Sequence, residues 1–384
     1  MAAATNAEHR IVLSAGEASG DAYGAALVRE IRRLRPDSEF NFEGLGSHRL
    51  SREGVKLVAD TTTWGAISIT ESVKVFFRVL AGGKRLQRVM RSGPPGLFIP
   101  IDFGFANIRL ARSAHASGWK VLYFVPPGSW RRDRQGGDLA NVTDAISTPF
   151  SWSAEILKGM GANAYWFGHP IKQLLLESLG PPSSEPKTRV AVLPGSRKHE
   201  ISENLPVIAA AIKIVNPPVV EFGLAPSVNV AKFKARWERL CPGRSDDIFT
   251  VGATAQVFSR ARAAYVCSGT ATLEAALCRC PMVVVYRISK LMKFETDLIG
   301  FKRPQFVALP NIFLQRFGVP ELIQEQATPE ALAEALQALL VDGPARVEQA
   351  TTFREIEQLL GPTHSVTKTA ELAMSLVEGV PFTE

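Results

Sequence analysis

The chain has 384 residues, 46% of them hydrophobic and 21% charged, with a formal net charge of +7. That length is enough for two full hydrophobic cores, and the balance excludes a disordered or fibrous chain in favour of two or three globular domains. Four cysteines, with Cys278 and Cys280 the only close pair, form no disulfide framework; the pair lies in an apolar stretch and reads as core packing in a reducing compartment.

Residues 1–10 are small and polar and lack an apolar h-region, so no signal peptide is expected. No apolar run reaches the roughly 18 residues of a membrane span. The basic excess is compatible with nucleic acid, an anionic membrane surface or acidic small molecules. It concentrates at 74–91 and 131–134 among apolar side chains, without a nucleic-acid-binding motif. A membrane surface or a phosphorylated substrate fits it better than nucleic acid.

The apolar run 11–15 predicts a strand, and 22–34 a helix whose Leu27, Val28 and Ile31 share a face. Between them lies Gly16-Glu17-Ala18-Ser19-Gly20-Asp21. Its two carboxylates, Glu17 and Asp21, argue against a phosphate cradle. They suit hydroxyl binding or acid/base work, or else the acidic first turn of a helix. A second strand is expected at 40–46. The stretch 64–80 sets Trp64, Val73, Val75, Phe76 and Phe77 beside Lys74 and Arg78, followed by Lys84, Arg85, Arg88 and Arg91. It reads as a helix lying in a membrane interface or as an ordinary core-facing helix. A buried strand at 96–101 ends in Asp102, with Asn107 just beyond. Residues past strand ends line the crevice of an open α/β sheet, so Asp102 is a candidate catalytic carboxylate or a helix N-cap. Further strands are predicted at 121–125, 145–148 and 164–167.

Residues 179–187 (LGPPSSEPK) form the clearest linker. Beyond it the alternation restarts with strands at 189–193, 219–222, 248–251, 263–267 and 282–286, and helices near 200–215, 329–340 and 345–360. Two turns there have chemistry: Pro194-Gly195-Ser196-Arg197, and Ser268-Gly269-Thr270 before an Ala/Leu-rich helix carrying Glu274. The second offers free N–H groups, hydroxyls and a helix N-terminus to a phosphate, with Glu274 at ribose reach; alternatively Ser268 or Thr270 only caps the helix. The whole predicts an α/β protein of two Rossmann-like, doubly wound parallel-sheet domains, 9–178 and 188–362, facing across a cleft. A final helix at 365–378 is expected to pack back on the first domain.

Taken in order, AGEASGD (15–21), the turn at 46–49, the strand ending in Ile101-Asp102, GHP (168–170), LPGSR (193–197) with Glu200, SGTATLEAAL (268–277), CPMVVVYR (280–287), LPN (309–311) and PELIQ (320–324) resemble the lipid-A-disaccharide synthase family, over 11–377. The resemblance implies a GT-B fold and an inverting glycosyltransferase. Such an enzyme moves 2,3-diacylglucosamine from UDP to 2,3-diacylglucosamine 1-phosphate, with no metal and no cofactor. It implies Asp102 as base, with Glu17 as orienter or second candidate, and Ser19, Asp21 and Asn107 toward the acceptor. The donor would meet Ser196, Arg197, Glu200, Ser268, Gly269, Thr270, Glu274, Asn311 and Gln324. His169 could be proposed as base instead, but a His before a Pro at a domain edge reads as structural. Acylated substrates imply a cytoplasmic enzyme resting peripherally on the inner membrane through Trp64, Val73, Phe76 and Phe77, and leave room for a homodimer.

The departures from the family lie in the first domain. The usual I-D-x-P-D-F-N is Ile101-Asp102-Phe103-Gly104-Phe105-Ala106-Asn107, without the second acid. The usual S-P-x-x-W-A-W is Val125-Pro126-Pro127-Gly128-Ser129-Trp130-Arg131, the acid after GHP is Gln173, and a Met of the membrane segment is Trp64. A GT-B relative with another acceptor and a catalytically inactive UDP-sugar binder are the rival readings. A UDP-sugar 2-epimerase would need further acids and a histidine that the sequence does not assemble.

Overall fold

The computed structural model describes residues 9–62, 64, 69–126, 135–179, 187–289, 292 and 304–383; for 69–74, 105 and 135–137 only the backbone is described. The linker at 179–187 and the Arg131–Arg134 cluster thus fall largely or wholly outside the described residues. The chain divides into two compact units, one running to Leu174 and resuming at Leu360, the other spanning Leu175–Leu359.

In the first unit the elements run β1 (His9–Ala15), α1 (Ala18–Leu34), β2 (Phe40–Gly46), α2 (His48–Arg52), β3 (Lys56–Asp60), α3 (Ile69–Arg91), β4 (Leu97–Ile101) and α4 (Gly104–Ala116). They continue through β5 (Lys120–Phe124), α5 (Gln135–Val142), β6 (Ala145–Ser147), α6 (Ser151–Gly159), β7 (Ala164–Tyr165) and α7 (Pro170–Ser178), within which the unit boundary falls. The sheet has the order β3-β2-β1-β4-β5-β6-β7, and every pair is parallel. Parallel strands are covered on both faces, which is why β4 (LFIPI) is apolar and buried throughout.

The second unit holds β8 (Arg189–Leu193), α8 (Lys198–Val215), β9 (Val220–Leu224), α9 (Val230–Leu240), β10 (Ile248–Val251), α10 (Thr254–Arg260), β11 (Ala261–Cys267) and α11 (Ala271–Leu277). After these come β12 (Met282–Tyr286), α12 (Leu309–Leu314), β13 (Glu321–Ile323), α13 (Pro329–Leu340) and α14 (Pro344–Leu359). Its sheet runs β10-β9-β8-β11-β12-β13, again all parallel. The core gathers Val190, Val192, Phe222, Tyr265 and Val283 under Leu205, Ile208, Trp237 and Leu336.

The chain then returns to the first unit as α15 (Ser365–Glu378), which packs on α1. Arg35 pairs with Glu378 at 2.7 Å, and the hydroxyls of Ser147 and Thr369 meet at 2.7 Å. Gln173 accepts from Val366 N at 2.9 Å and donates to Thr367 Oγ1 at 3.0 Å. The amide that replaces the family's acid thus ties α7 to the start of α15, and its donor half does what a carboxylate cannot.

Both sheets reverse their strand order once, between β1 and β4 and between β8 and β11. Ligands of open α/β sheets bind outside the C-terminal ends of the strands at such a reversal. The doubly wound architecture expected from the sequence is therefore present in each unit, and it marks one position in each.

Candidate active site

In the first unit the marked position lies beyond Ala15 and Ile101, which are register partners on β1 and β4. Glu17 and Asp102 follow them, so two carboxylates leave adjacent strands on the same edge of the sheet. Glu17 is exposed and Asp102 is half-buried. Burial is the main reason the Asp102 carboxyl rises from 3.8 to about 6; the nearby Glu17 charge adds to the rise, and a hydrogen bond from the Phe103 backbone opposes it. A carboxylate with that value is mostly ionised at neutral pH and basic enough to take a hydroxyl proton.

The backbone around Asp102 is unusual. Asp102, Phe103 and Val125 all have positive φ, at 49°, 53° and 54°. Left-handed geometry is costly for a β-branched or bulky residue, and it persists where the surroundings over-determine it. Here they do: the Asp102 carbonyl accepts from Tyr123 Oη at 2.9 Å and from Asn107 Nδ2 at 3.0 Å, while its N–H donates to Phe124 O at 3.1 Å. Phe103 packs its ring against Trp64 and over Gly16. Sequence reasoning passed over Tyr123 and Phe103, because an aromatic in a buried strand or next to a motif reads as core.

Two of the acceptor-side candidates prove to hold the scaffold. Asp21, 1% exposed, accepts from Ser47 N, Ser47 Oγ, Arg49 N and Leu50 N at 2.6, 2.5, 3.1 and 3.4 Å, anchoring the start of α2. Its carboxylate faces those donors rather than a substrate. Asn107 is fully buried; it takes the Ser14 hydroxyl on Oδ1 and donates to the carbonyls of Ser14, Ile101 and Asp102. It fastens β1 to β4 just below the carboxylates. Ser19 sits half-buried in α1, which starts at Ala18, four residues earlier than the apolar pattern suggests. His169 is buried, with its edge toward the rings of Tyr23 and Phe150, and accepts from Ile171 N. Burial lowers its pKa to about 3, so it is a neutral structural imidazole.

In the second unit the marked position lies beyond Leu193 of β8 and Val266–Cys267 of β11. The turn after β8 is closed by Glu200, whose carboxylate accepts from Ser196 N, Arg197 N and the Arg197 guanidinium at 2.8, 3.1 and 2.9 Å. Glu200 is buried and spent on that capping box, while Ser196 and Arg197 stay exposed. The turn after β11 contains Gly269 at φ +142°, a backbone open only to glycine, and nothing stands within 4 Å of where its side chain would be. Neither hydroxyl caps α11: Ser268 Oγ donates to Val307 O at 2.7 Å, and Thr270 makes no side-chain cap bond. The capping alternative raised by the sequence does not hold there. Glu274 lies half-buried on α11, one turn in.

Asn311 differs from its expected role at the UDP-sugar. Asn311 is fully buried and fills its amide with Gly318 N, Val319 N, Val319 O and Glu321. It shapes the passage into β13. Gln324, at φ +52°, is half-exposed and accepts from Ile288 N at 3.3 Å.

The proposed membrane face also changes. Trp64 is 5% exposed and packs into the core with Leu86, Met90 and Phe98, so it is no surface contact. Phe76 and Phe77 on α3 are 51% and 64% exposed. The Val73 side chain lies outside what is described. Among the described residues no helix is long and apolar enough to cross a membrane. Cys280 is buried and Cys278 half-buried, both thiols raised to about 12, chiefly by burial.

The profile of the family described as lipid-A-disaccharide synthetase matches residues 11–375. A lipid-A-disaccharide synthase of Myxococcus xanthus (strain DK1622) is 32% identical over 383 residues, covering 96% of this chain and 97% of that protein. Among solved structures, the glycotransferase of kitacinnamycin aligns with a TM-score of 0.59 at 13% identity, over 97% of this chain and 100% of that one. A UDP-GlcNAc 2-epimerase of Methanocaldococcus jannaschii, in complex with UDP-GlcNAc and UDP, aligns at 0.51 and 12% identity, over 91% and 99%. At such identities the likeness shows the fold alone, and that fold is GT-B.

Proposed function

Because the chain belongs to the lipid-A-disaccharide synthase family, glycosyltransferases of lipid A biosynthesis, we propose that it transfers 2,3-diacylglucosamine from UDP to the 6-hydroxyl of 2,3-diacylglucosamine 1-phosphate. The acceptor oxygen bonds to the anomeric carbon from the face opposite the diphosphate. The bond from that carbon to the diphosphate oxygen breaks, and UDP leaves. Asp102 takes the hydroxyl proton, and inversion follows from the in-line approach. The observation carrying this reading is the pair Glu17 and Asp102 just past the ends of adjacent strands at the sheet reversal, with the Asp102 carboxyl raised to about 6.

The leaving diphosphate needs preorganised donors. The N–H groups of the Gly269 turn and the exposed Arg197 are suited to it, and we assign Glu274 to the ribose. Glu200, Asn311, Asp21 and Asn107 act by positioning backbone, not by touching sugar. Acylated substrates are collected at a bilayer, and the exposed Phe76 and Phe77 support a peripheral seat on the cytoplasmic face of the inner membrane.

The test is UDP release by the purified protein with both acylated substrates. Asp102→Ala should abolish release and leave UDP affinity nearly intact. Release at the wild-type rate in that variant sinks the base assignment. UDP binding without turnover on any acylated glucosamine would make the chain a nucleotide-sugar binder instead.

A further inference from the structure

An apolar cavity of about 180 Å³ lies between α3 and α4 in the first unit. Its α3 wall is Phe76, Val79, Leu80, Gly83, Lys84 and Gln87, which recur at helical spacing and so form one continuous face. Phe103, Ala106, Asn107 and Leu110 face them, over Ser14, Leu45 and Trp64. The α3 wall covers eleven steps, about 16 Å at the helical rise. The volume is many times the roughly 10–15 Å³ that one water needs and is on the scale of one alkyl chain. The charged lining residues are Lys84 and Arg109, both exposed, and no carboxylate lines it among the described residues.

Two adjacent glycines, Gly82 and Gly83, interrupt α3, and each costs about 1 kcal/mol relative to alanine in a helix. Gly82 has a packing reason: a side chain would meet the Trp64 ring at 2.7 Å. Gly83 has none, since the nearest atom to its would-be Cβ is Leu110 Cδ2 at an ordinary 3.8 Å and its φ is not positive. What the missing side chain leaves is cavity volume.

We infer that this cavity receives one acyl chain of the acylated sugar phosphate, with Lys84 and Arg109 facing its anionic group and Gly83 setting how much chain enters. This rests on the transferase reading for the identity of the amphiphile, though not for its chemistry. The lining includes Phe103 and Asn107, which bracket the backbone of Asp102, so a chain seated there holds its sugar near the proposed base.

The experiment is calorimetric titration of the full-length protein with decyl phosphate below its micellar concentration, with inorganic phosphate as control. Decyl phosphate should bind, phosphate alone should not, and Gly83→Leu should weaken binding at least tenfold. Gly83→Ala should raise the melting temperature and keep binding within about threefold. If Gly83→Leu does not fold, Ala106→Leu fills the same space from α4 and should give the same loss. Wild-type affinity in the filled variants, or no binding by the wild type, overturns the inference. The titration needs no donor and no turnover, so binding without UDP release would sink the transferase reading and leave the cavity standing. For the source of the chain, Gly83→Leu should raise KM for the acylated acceptor about tenfold, leave kcat unchanged, and leave sedimentation with anionic vesicles as in the wild type. Lost sedimentation with an unchanged KM would assign the cavity to bilayer lipid and overturn the substrate claim.

Discussion

The ring of Phe103 occupies the space that a side chain on Gly16 would need. The end of β1 and the residue after Asp102 are thus packed against each other with no room for one methyl group. Gly16→Ala must push the ring away, and Asp102 shares its strained backbone. We expect UDP release to fall at least tenfold with UDP affinity unchanged. Phe103→Ala in the same chain should restore part of the loss, a coupling that a double-mutant cycle reads directly.

The pH profile of UDP release should report Asp102. The base works ionised, so kcat/KM should climb about tenfold per pH unit below an apparent pKa of about 6 and level off above it. Glu17 contributes to the elevation, second to burial. Glu17→Gln should therefore move the inflection to lower pH without returning it to the ordinary carboxylate range.

Stability carries the same signature with a definite sign. The folded-state pKa of Asp102 lies above its unfolded value, so ionising it costs the folded state. That cost is absent below pH 4 and complete above about 6. Asp102→Asn keeps an acceptor for the Phe103 N–H and removes the charge. Urea unfolding of the first unit should show stabilisation on the order of 2 kcal/mol at pH 8 and almost none at pH 3.5.

Asp21 should behave as a structural acid. Asp21→Ala leaves the donors around Ser47 without their acceptor, and the loss should be about 2–3 kcal/mol in unfolding experiments. The activity remaining per folded molecule should stay within a few-fold of the wild type. An Asp21 variant of normal stability and no activity would return it to the reacting groups.

The three aromatic residues first grouped as a membrane contact should separate into two kinds. Phe76→Glu with Phe77→Glu should reduce sedimentation with anionic vesicles while the melting temperature holds. Trp64→Ala should cost about 3–5 kcal/mol of stability, as for a large buried side chain, with vesicle binding of the folded fraction unchanged.

What was legible in the sequence follows from how each element is buried. Strands 40–46, 189–193 and 282–286 match β2, β8 and β12, because central parallel strands show as unbroken apolar runs or stop at clear turns, and 248–251 matches β10 at the sheet edge as well. Edge strands β3 and β13 escaped that reading: Lys56–Asp60 carries a charge at each end, and Glu321–Ile323 has three residues. The carboxylates after β1 and β4 were legible because strand ends are local features. The duties of Asp21, Asn107, Glu200 and Asn311 were not. A polar residue in a motif looks the same in sequence whether its atoms face a ligand or a backbone, and Asp21 and Asn107 find partners 26 and 93 positions away. Trp64 was misjudged for the converse reason: it is not helical itself, lying outside the described α3 at Ile69–Arg91, and its ring is buried.

The return of α15 to the first unit has a consequence for how the protein is made. A ribosome delivers β1 to β7 first, yet the helix that covers α1 and bonds Ser147 through Thr369 is delivered after the whole of the second unit. The first unit is then the last to be completed, and it waits with the flank of α1 uncovered while its successor folds. Order of synthesis and order of closure run opposite ways along this chain.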